Sequence, residues 1–585
     1  MLKSIVSSLI LLVAFSGQAT ADSAFPAHRV VGNLYYVGSK DISSYLVTTP
    51  DGHFLINSGF EETVPLIRAS VESLGFKMTD VQILLASHAH SDHVAGHALA
   101  QEMTGAKVFV MHGDEGVIAN GGKGQYLYTD SRWKPCPVDR VLKDGEKITL
   151  GKTTLVAHHT PGHTRGCTTW SCQIAEGGKN HNVVIVGSPN VNPGYQLVGN
   201  KAYPKIAADY SKGFKTLNSL ECEYFLGAHG AYYGMLAKFD QLSKQPKNSP
   251  FIDPAGYRAY IEERENTFRE KLAQQQSAGL KPVRIAVPVN GHIHPAICIS
   301  QKGTIIVTYG RVNHRDLRIT RSTDGGKTWT DPKPFVHTID KSYYPGSLTT
   351  LKNGQILHCW NRWSTDDNEK EPRSVLYSLS SDDGLTWSAP QPFPRNSEML
   401  SVIRHPVVEI DKNNWLTSLT DKTYVFNSKS GTSKPFGDGR NHGLVPIVRT
   451  PQGTFISGAG LRSTDLGKTW SEIKNFPNVK EQGWRHEMVC LSNGWLLASE
   501  ILGPGFGGER IRYAISFDDG LTWENRYEYY SPGRAINGRA CPRTVEIDDK
   551  TIGVVFYDID AKQAGGPGLF FLRIPLANLA GLTGK

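Results

Sequence analysis

Four copies of one octapeptide constrain the fold of this chain more than any other feature. They read STDGGKTW from Ser322 to Trp329, SSDDGLTW from Ser380 to Trp387, STDLGKTW from Ser463 to Trp470 and SFDDGLTW from Ser516 to Trp523. The shared pattern is SxDxGxTW. A recurring unit of this kind cannot bury its apolar face alone and must stack on its neighbours. Within each copy the Asp and Ser can close a tight turn by side-chain hydrogen bonds to backbone, and the Trp can fill the space between strands. A second theme interleaves with the first: a strand, a turn containing Gly or Asn, then another strand. It occurs six times, in HPAICISQKGTIIVTY, YPGSLTTLKNGQILHCW, HPVVEIDKNNWLTSLT, LVPIVRTPQGTFISGA, HEMVCLSNGWLLASEI and CPRTVEIDDKTIGVVFY. Six hairpin units imply six blades, and a six-bladed β-propeller is the closed form expected of residues 285–585.

The preceding part has another rhythm. The segments NLYYVGS, SSYLVTT and HFLINSG read as strands, with Pro50-Asp51-Gly52 as a hairpin turn. EETVPLIRASVESLGF carries apolar residues at a helical period and stops at Gly75, VQILLAS reads as a buried strand, and VAGHALAQEMTG as a helix. This alternation predicts an α/β layered domain over residues 22–278. Its last helix starts at Pro254, and residues 279–284 read as a linker.

The first 21 residues combine Lys3, an apolar run from Ile5 to Phe15 and the small-x-small triplet Ala19-Thr20-Ala21. This pattern is that of a secretory signal peptide. The run is shorter than the roughly 20 residues a membrane span needs, and no later segment qualifies. The mature protein is therefore expected to be exported, to a periplasm or beyond, with no membrane span. The net charge of +8 is dilute over 585 residues and forms no basic run, which argues against nucleic-acid binding. Eight cysteines, at 136, 167, 172, 222, 298, 359, 490 and 541, include no CxxC pair. Their pairing is open, and Cys167 and Cys172 are expected to be buried apolar residues.

The chemistry concentrates in LLASHAHSDHVAGHALA, where His88, His90, Asp92 and His93 fall within six positions. His88 and His90, two apart at a strand end, can point the same way, while Asp92 and His93 can face a second position. Imidazole and carboxylate ligands suit zinc. Two sites need further ligands. His163, between Gly162 and Thr164, and His229, in LGAHG, are the candidates, each in a turn with small neighbours. His53, His97, His158 and His159 are expected to be ordinary or supporting residues.

HxHxDH, the later GHTRG and the final GAHG resemble the metallo-β-lactamase family, whose fold is an αββα sandwich. The stretches SPNVNPGYQLVGNKAYPKIAADYSKGF and NSPFIDPAGYRAYIEERENTFREKL resemble its class B, third subclass. This resemblance implies one zinc on His88, His90 and His163 and a second on Asp92, His93 and His229. It implies Ser188, in VVIVGSPN, as an organiser of water and substrate, and Asp92 as a further orienter of the attacking group. Asn57 stands where much of the superfamily has Asp, so the second site is expected to be weaker. The implied activity is opening of the β-lactam amide by hydroxide formed at two zinc ions. Another ester, lactone or amide is the alternative substrate.

The octapeptides are identified as Asp boxes of sialidase-like proteins. In the stretch where such enzymes carry an Arg-Ile-Pro segment, this chain has GHIHPAI, with His292 and His294. Arg311, Arg404, Arg485 and Arg539, with the carboxylates Asp316 and Glu487, are the candidates for an axial site. Glycan binding, sialidase activity and a purely structural propeller all remain open.

Overall fold

The computed structural model describes residues 23–580 except 243, 245–247, 288, 290–293, 313–314, 337–340, 365–373, 394–401, 420–422, 439–441, 443–444, 475, 478–486, 503–506, 509, 531–535, 538–541 and 559–566. The expected signal peptide, His292, Arg485, Arg539 and Cys541 lie outside the described residues. The chain divides into two compact units, Met1–Leu272 and Ala273–Lys585. No described helix is long and apolar enough to cross a membrane.

In the first unit seven strands form one sheet in chain order: β1 (His28–Val31), β2 (Leu34–Tyr36), β3 (Tyr45–Thr49), β4 (Gly52–Ile56), β5 (Val81–Leu85), β6 (Lys107–Met111) and β7 (Arg140–Leu142). β1 to β4 pair antiparallel, with two-residue turns joining β1 to β2 and β3 to β4. β4 to β7 pair parallel, so each connection must cross over the sheet. These crossovers carry helices α1 (Val64–Ser73), α2 (Ser91–Val94), α3 (His97–Thr104) and α4 (Glu115–Ala119). Gly75 and Gly105 follow α1 and α3 with φ of 88° and 71°, the left-handed geometry of a helix stop.

The second sheet runs β12 (Tyr224–Gly227), β11 (Lys179–Val186), β10 (Thr168–Glu176), β9 (Thr153–His159), β8 (Glu146–Leu150). Strand periodicity sorts the core. Leu46, Leu55, Leu84 and Val108 pack against Val64, Ile67 and Val71 of α1 and Ala98 of α3. Their neighbours Tyr45, Phe54, Leu85 and Phe109 are also buried, toward the second sheet. Trp170 Nε1 donates to the Ala86 carbonyl at 3.1 Å and Tyr45 Oη to the Gly227 carbonyl at 2.8 Å, tying the sheets together. Helices α5 (Ile206–Ser219) and α6 (Pro254–Ser277) cover the far side. Tyr210 stacks on Phe268 at 5.2 Å, and Phe225 meets Tyr257 at 5.4 Å. The result is the αββα sandwich expected from the sequence. Cys167 and Cys172 are buried in it, and burial pushes each thiol up to about 12.

Among the described residues the strands of the second unit form six sheets, which are antiparallel. The strand Val283–Ala286 begins within the expected linker 279–284. It pairs with Gly568–Pro575, Val283 opposite Phe571, a partner too distant in sequence to leave a local signal. The four octapeptides share one geometry. The Ser hydroxyl donates to the Asp carboxylate at 2.8–2.9 Å and accepts the Gly amide at 2.8–3.0 Å. Hydrogen bonds from the Thr amide and hydroxyl hold the Asp382 and Asp465 carboxyls down to about 2. Trp329, Trp470 and Trp523 each donate Nε1 to the carbonyl of the Gly three residues before.

Candidate metal centre

The ligand-type side chains sit beyond the carboxyl end of β5, which has a parallel neighbour on each side, the place where open α/β sheets bind ligands. β5 ends at Leu85 and the chain turns into α2. His88 and His90 lie in that turn, and Asp92 and His93 on α2, with all three histidines buried. His163 lies between β9 and β10. Its neighbour Gly162 has φ of 127°, and a Cβ there would meet the Tyr210 ring at 2.5 Å, so the turn demands glycine. His229 follows β12 in extended backbone.

Donor atoms of His88, His90 and His163 lie within 4.8 Å of one another. Their rings stand edge to face at centroid separations of 4.9, 4.7 and 4.7 Å. The His163 Nδ1–H donates to the Asn190 carbonyl at 2.8 Å, which fixes the tautomer and leaves Nε2 as a ligand. Burial holds His88 and His163 well below the usual imidazole range and brings His90 to about 4. Three neutral imidazoles on one point are a cation's donor set.

The second trio is tighter. His93 Nε2 lies 3.1 Å from His229 Nε2 and 3.2 Å from Asp92 Oδ2, and His229 Nε2 lies 3.4 Å from Asp92 Oδ2. Ligands about 2.0–2.1 Å from a tetrahedral zinc are about 3.3 Å apart, so this triangle has the edge lengths of a zinc face. Burial resists ionising Asp92, but His93 and His229 outweigh it and hold its carboxyl well below the ordinary range. Burial also works to lower His229. Hydrogen bonds to Asp41 and Asp92 outweigh it, and the imidazole rises to about 9. A cation held at this trio would take the place of that proton. Donor atoms of His88, Asp92 and His93 also fall within 4.8 Å of one another, so the two trios adjoin at His88.

Two carboxylates escaped the sequence reading. Asp41 Oδ2 accepts His229 Nδ1–H at 2.9 Å, and its Oδ1 accepts the Ala231 amide at 3.0 Å. This places a supporting charge on the second trio that Asn57 does not supply. Asp41→Ala is expected to weaken zinc binding at that trio roughly 10–100-fold, read by chelator competition. Asp114, wholly buried, is the second, and bonds to both ligand turns. Neither has a local motif; only the preference of metal-bound His for a carboxylate could have prompted a search.

Ser188 is buried, and its Oγ lies 3.0 Å from Tyr232 Oη, whose ring is 5.1 Å from His229. Ser188 thus reaches the second trio through Tyr232. Of the other histidines, His97 is buried against Ser58 at 2.7 Å and pushed to about 3 by burial. His53 accepts from the Thr49 amide, His158 bonds Ser171, and His159 bonds the Arg165 carbonyl.

In the second unit Arg311 and Arg318 both pair with Asp316, at 2.5 and 2.7 Å. His294 lies against Tyr344 at 4.3 Å. Glu487 accepts the Thr544 amide at 2.6 Å and lies 3.7 Å from Arg543, a residue the sequence reading missed. The buried Arg543 guanidinium also bonds the carbonyls of Pro295 and Arg404, at 3.3 and 3.0 Å, and His405 Nδ1 at 3.1 Å. Burial raises the Glu487 carboxyl from 4.5 to about 7. The folded unit therefore holds this proton more tightly than the unfolded chain. The contribution of Glu487 to stability is greatest below pH 4.5 and falls as pH rises toward 7. Denaturation of the C-terminal unit across this range should show that decline, and Glu487→Gln should flatten it.

A model of the metallo-beta-lactamase superfamily matches residues 37–175. The native metallo-beta-lactamase from Legionella gormanii is 48% identical, covering 44% of this chain and 99% of that one, with a TM-score of 0.43. A subclass B3 metallo-beta-lactamase of Bradyrhizobium japonicum is 33% identical, covering 44% of this chain and 97% of that one, with a TM-score of 0.42. A sialidase of Bacteroides fragilis is 24% identical over 45% of this chain, and the chain spans 59% of that relative's length. The fold and the trio of His88, His90 and His163 imply zinc. By the superfamily model over residues 37–175, the N-terminal unit carries a metallo-beta-lactamase superfamily domain.

Proposed function

We propose that the chain is an exported hydrolase that opens the amide bond of β-lactams at two zinc ions. The observation that carries this reading is the convergence of six side chains from three loops: His88, His90 and His163 in one trio, Asp92, His93 and His229 in the other. The 48% identity to a metallo-beta-lactamase favours a lactam over other amides or esters. Bound zinc supplies a Lewis acid for a carbonyl and lowers the pKa of water to roughly 7.

The protein's own groups supply position. Tyr126 and Tyr195 both donate to the His163 carbonyl, at 2.9 and 2.8 Å, and hold that turn against movement. Asn190 accepts from His163 through its carbonyl and donates through Nδ2 to Tyr232 at 3.1 Å, linking the two trios. Asp92 keeps its charge and can orient an attacking water. Tyr128, 38% exposed, stands edge-on to His90 at 5.1 Å and offers an aromatic wall to substrate. Preset geometry of this kind removes reorganisation from the reaction step.

For the C-terminal unit we propose a six-bladed ring. Support comes from hydrogen bonds between successive sheets: Thr304 to Asp383, the Lys352 amide to Glu409, Arg449 to the Ile410 carbonyl, Thr454 to Asp519, and Ser492 to Glu546. Arg543 then returns from the last sheet to Pro295, before the first. Arg543 is committed to protein partners, which favours a structural role over carboxylate-sugar recognition.

A panel of β-lactams, lactones and thioesters, each assayed with and without chelator, tests the substrate class. Chelator-sensitive turnover of a chromogenic cephalosporin is expected. Turnover of a lactone or thioester with every β-lactam left intact would move the assignment to the alternative substrate.

A further inference from the structure

We propose that Asp114 is a positioning residue that sets the spacing between the His88–His90 turn and the His163 turn. This inference rests on reading that trio as a zinc site. Asp114 is 2% exposed. Its Oδ2 accepts the Ala89 amide at 2.8 Å and the Thr164 hydroxyl at 2.6 Å, and its Oδ1 accepts the Gly166 amide at 2.8 Å. Ala89 lies between two ligands of the first trio, and Thr164 directly follows the third. One carboxylate therefore grips the backbone on both sides of the cation position. Gln125 Nε2 donates to the Ala89 carbonyl at 3.0 Å, so Ala89 is held through both its amide and its carbonyl.

The local backbone is arranged around this contact. Asp114 occupies the N-cap position of α4 yet makes no side-chain cap bond to its own helix. An Asp at such a position ordinarily serves its own helix amides; here its acceptors are turned across to the ligand turns. The two turns also touch as backbone. A Cβ on Gly166 would meet the Asp114 amide nitrogen at 2.6 Å, and one on Gly113, at φ of 107°, would meet Arg165 at 2.8 Å. Glycine on both sides permits an approach that no side chain would allow.

All three partners can donate, and two of them are amides that can only donate. An amide in place of the carboxylate must turn its NH2 toward the Gly166 amide or toward the Ala89 amide, and one grip is lost in either case. Asp114→Asn therefore keeps the shape and breaks the bridge. Thr164→Val removes only the hydroxyl contact, and Thr164→Ser restores it.

The test uses the full chain. Zinc affinity is measured by chelator competition on the wild type, Asp114→Asn, Thr164→Val and Thr164→Ser, with His163→Ala marking loss of the first site. Asn33→Ala is the control, since Asn33 holds the Thr48 carbonyl and Thr153 away from both turns. Amide exchange at Ala89 and Gly166 is followed in the chelated proteins. Asp114→Asn should lose roughly 10–100-fold in affinity for the first zinc, the range of outer-shell partners of metal ligands, and exchange both amides faster. Thr164→Val should lose less and Thr164→Ser should recover, while Asn33→Ala lowers stability without moving affinity. Wild-type affinity in both Asp114→Asn and Thr164→Val overturns the inference, as does an equal loss in Asn33→Ala. If Asp114→Asn does not fold, Thr164→Val against Thr164→Ser still decides it. A wild type that takes up no zinc overturns the reading of the site and this inference with it.

Discussion

His163→Ala is expected to lower β-lactam turnover by more than about 100-fold and to remove one zinc per chain. Outer partners of metal ligands already cost roughly 10–100-fold when lost, and a direct ligand costs more. His163 is the informative choice because the other ligands of its trio, His88 and His90, lie on a separate turn. Its removal leaves the HxHxDH segment intact and opens the site from the opposite wall. The buried position adds a distinct expectation for stability. His163 is neutral and packed among His88, His90 and Tyr195, so alanine leaves a cavity without stranding a charge. The chelated protein should lose a few kcal/mol at most, with the fold retained by circular dichroism. Full turnover in a folded His163→Ala protein would remove this residue from the chemistry.

Asn57→Asp is expected to act in the opposite direction, tightening the second zinc roughly 10–100-fold. Asn57 Oδ1 accepts the Ser87 amide at 2.8 Å, and Nδ2 donates to the Ser43 carbonyl at 3.2 Å. These partners fix which end of the amide faces which way. Nδ2 then also faces His93 Nδ1 at 3.4 Å. A His that gives Nε2 to a cation carries its proton on Nδ1 and wants an acceptor there. Asn57 presents a donor instead and favours the wrong tautomer. Aspartate supplies the acceptor while keeping the bond from Ser87. The Ser43 carbonyl loses its donor, at a cost of about 1–3 kcal/mol to the fold. Lower thermal stability with tighter zinc, measured on one preparation by calorimetry and competition, is the expected pair of results. Unchanged zinc affinity would mean that Asn57 does not govern the second site.

Much of this centre was legible in the sequence because its chemistry is local. His88, His90, Asp92 and His93 share one strand end, and glycines flag the turns around His163 and His229. The octapeptides were legible for the same reason, since each closes on its own Ser, Asp and Gly. What escaped were contacts made across the fold. Asp41 reaches His229 over 188 positions. Asp114 stands at the start of α4, and nothing nearby in sequence announces Ala89 or Gly166 as its partners. Arg543 meets Pro295 and His405 across 248 and 138 positions, so its role depends on how sheets close on one another rather than on any repeat. The strand at Val283 leaves no local signal, because the strand it pairs with among the described residues lies near the end of the chain.

The proposed activity requires paired cations held by side chains from separate loops. The most direct measurement is zinc per purified chain, by elemental analysis, on the same sample whose cephalosporin turnover is followed before chelation, after it, and during stepwise return of zinc. Up to two zinc ions per chain are expected, with turnover lost on chelation and restored as zinc returns. Full turnover in a chain stripped of metal would contradict the account.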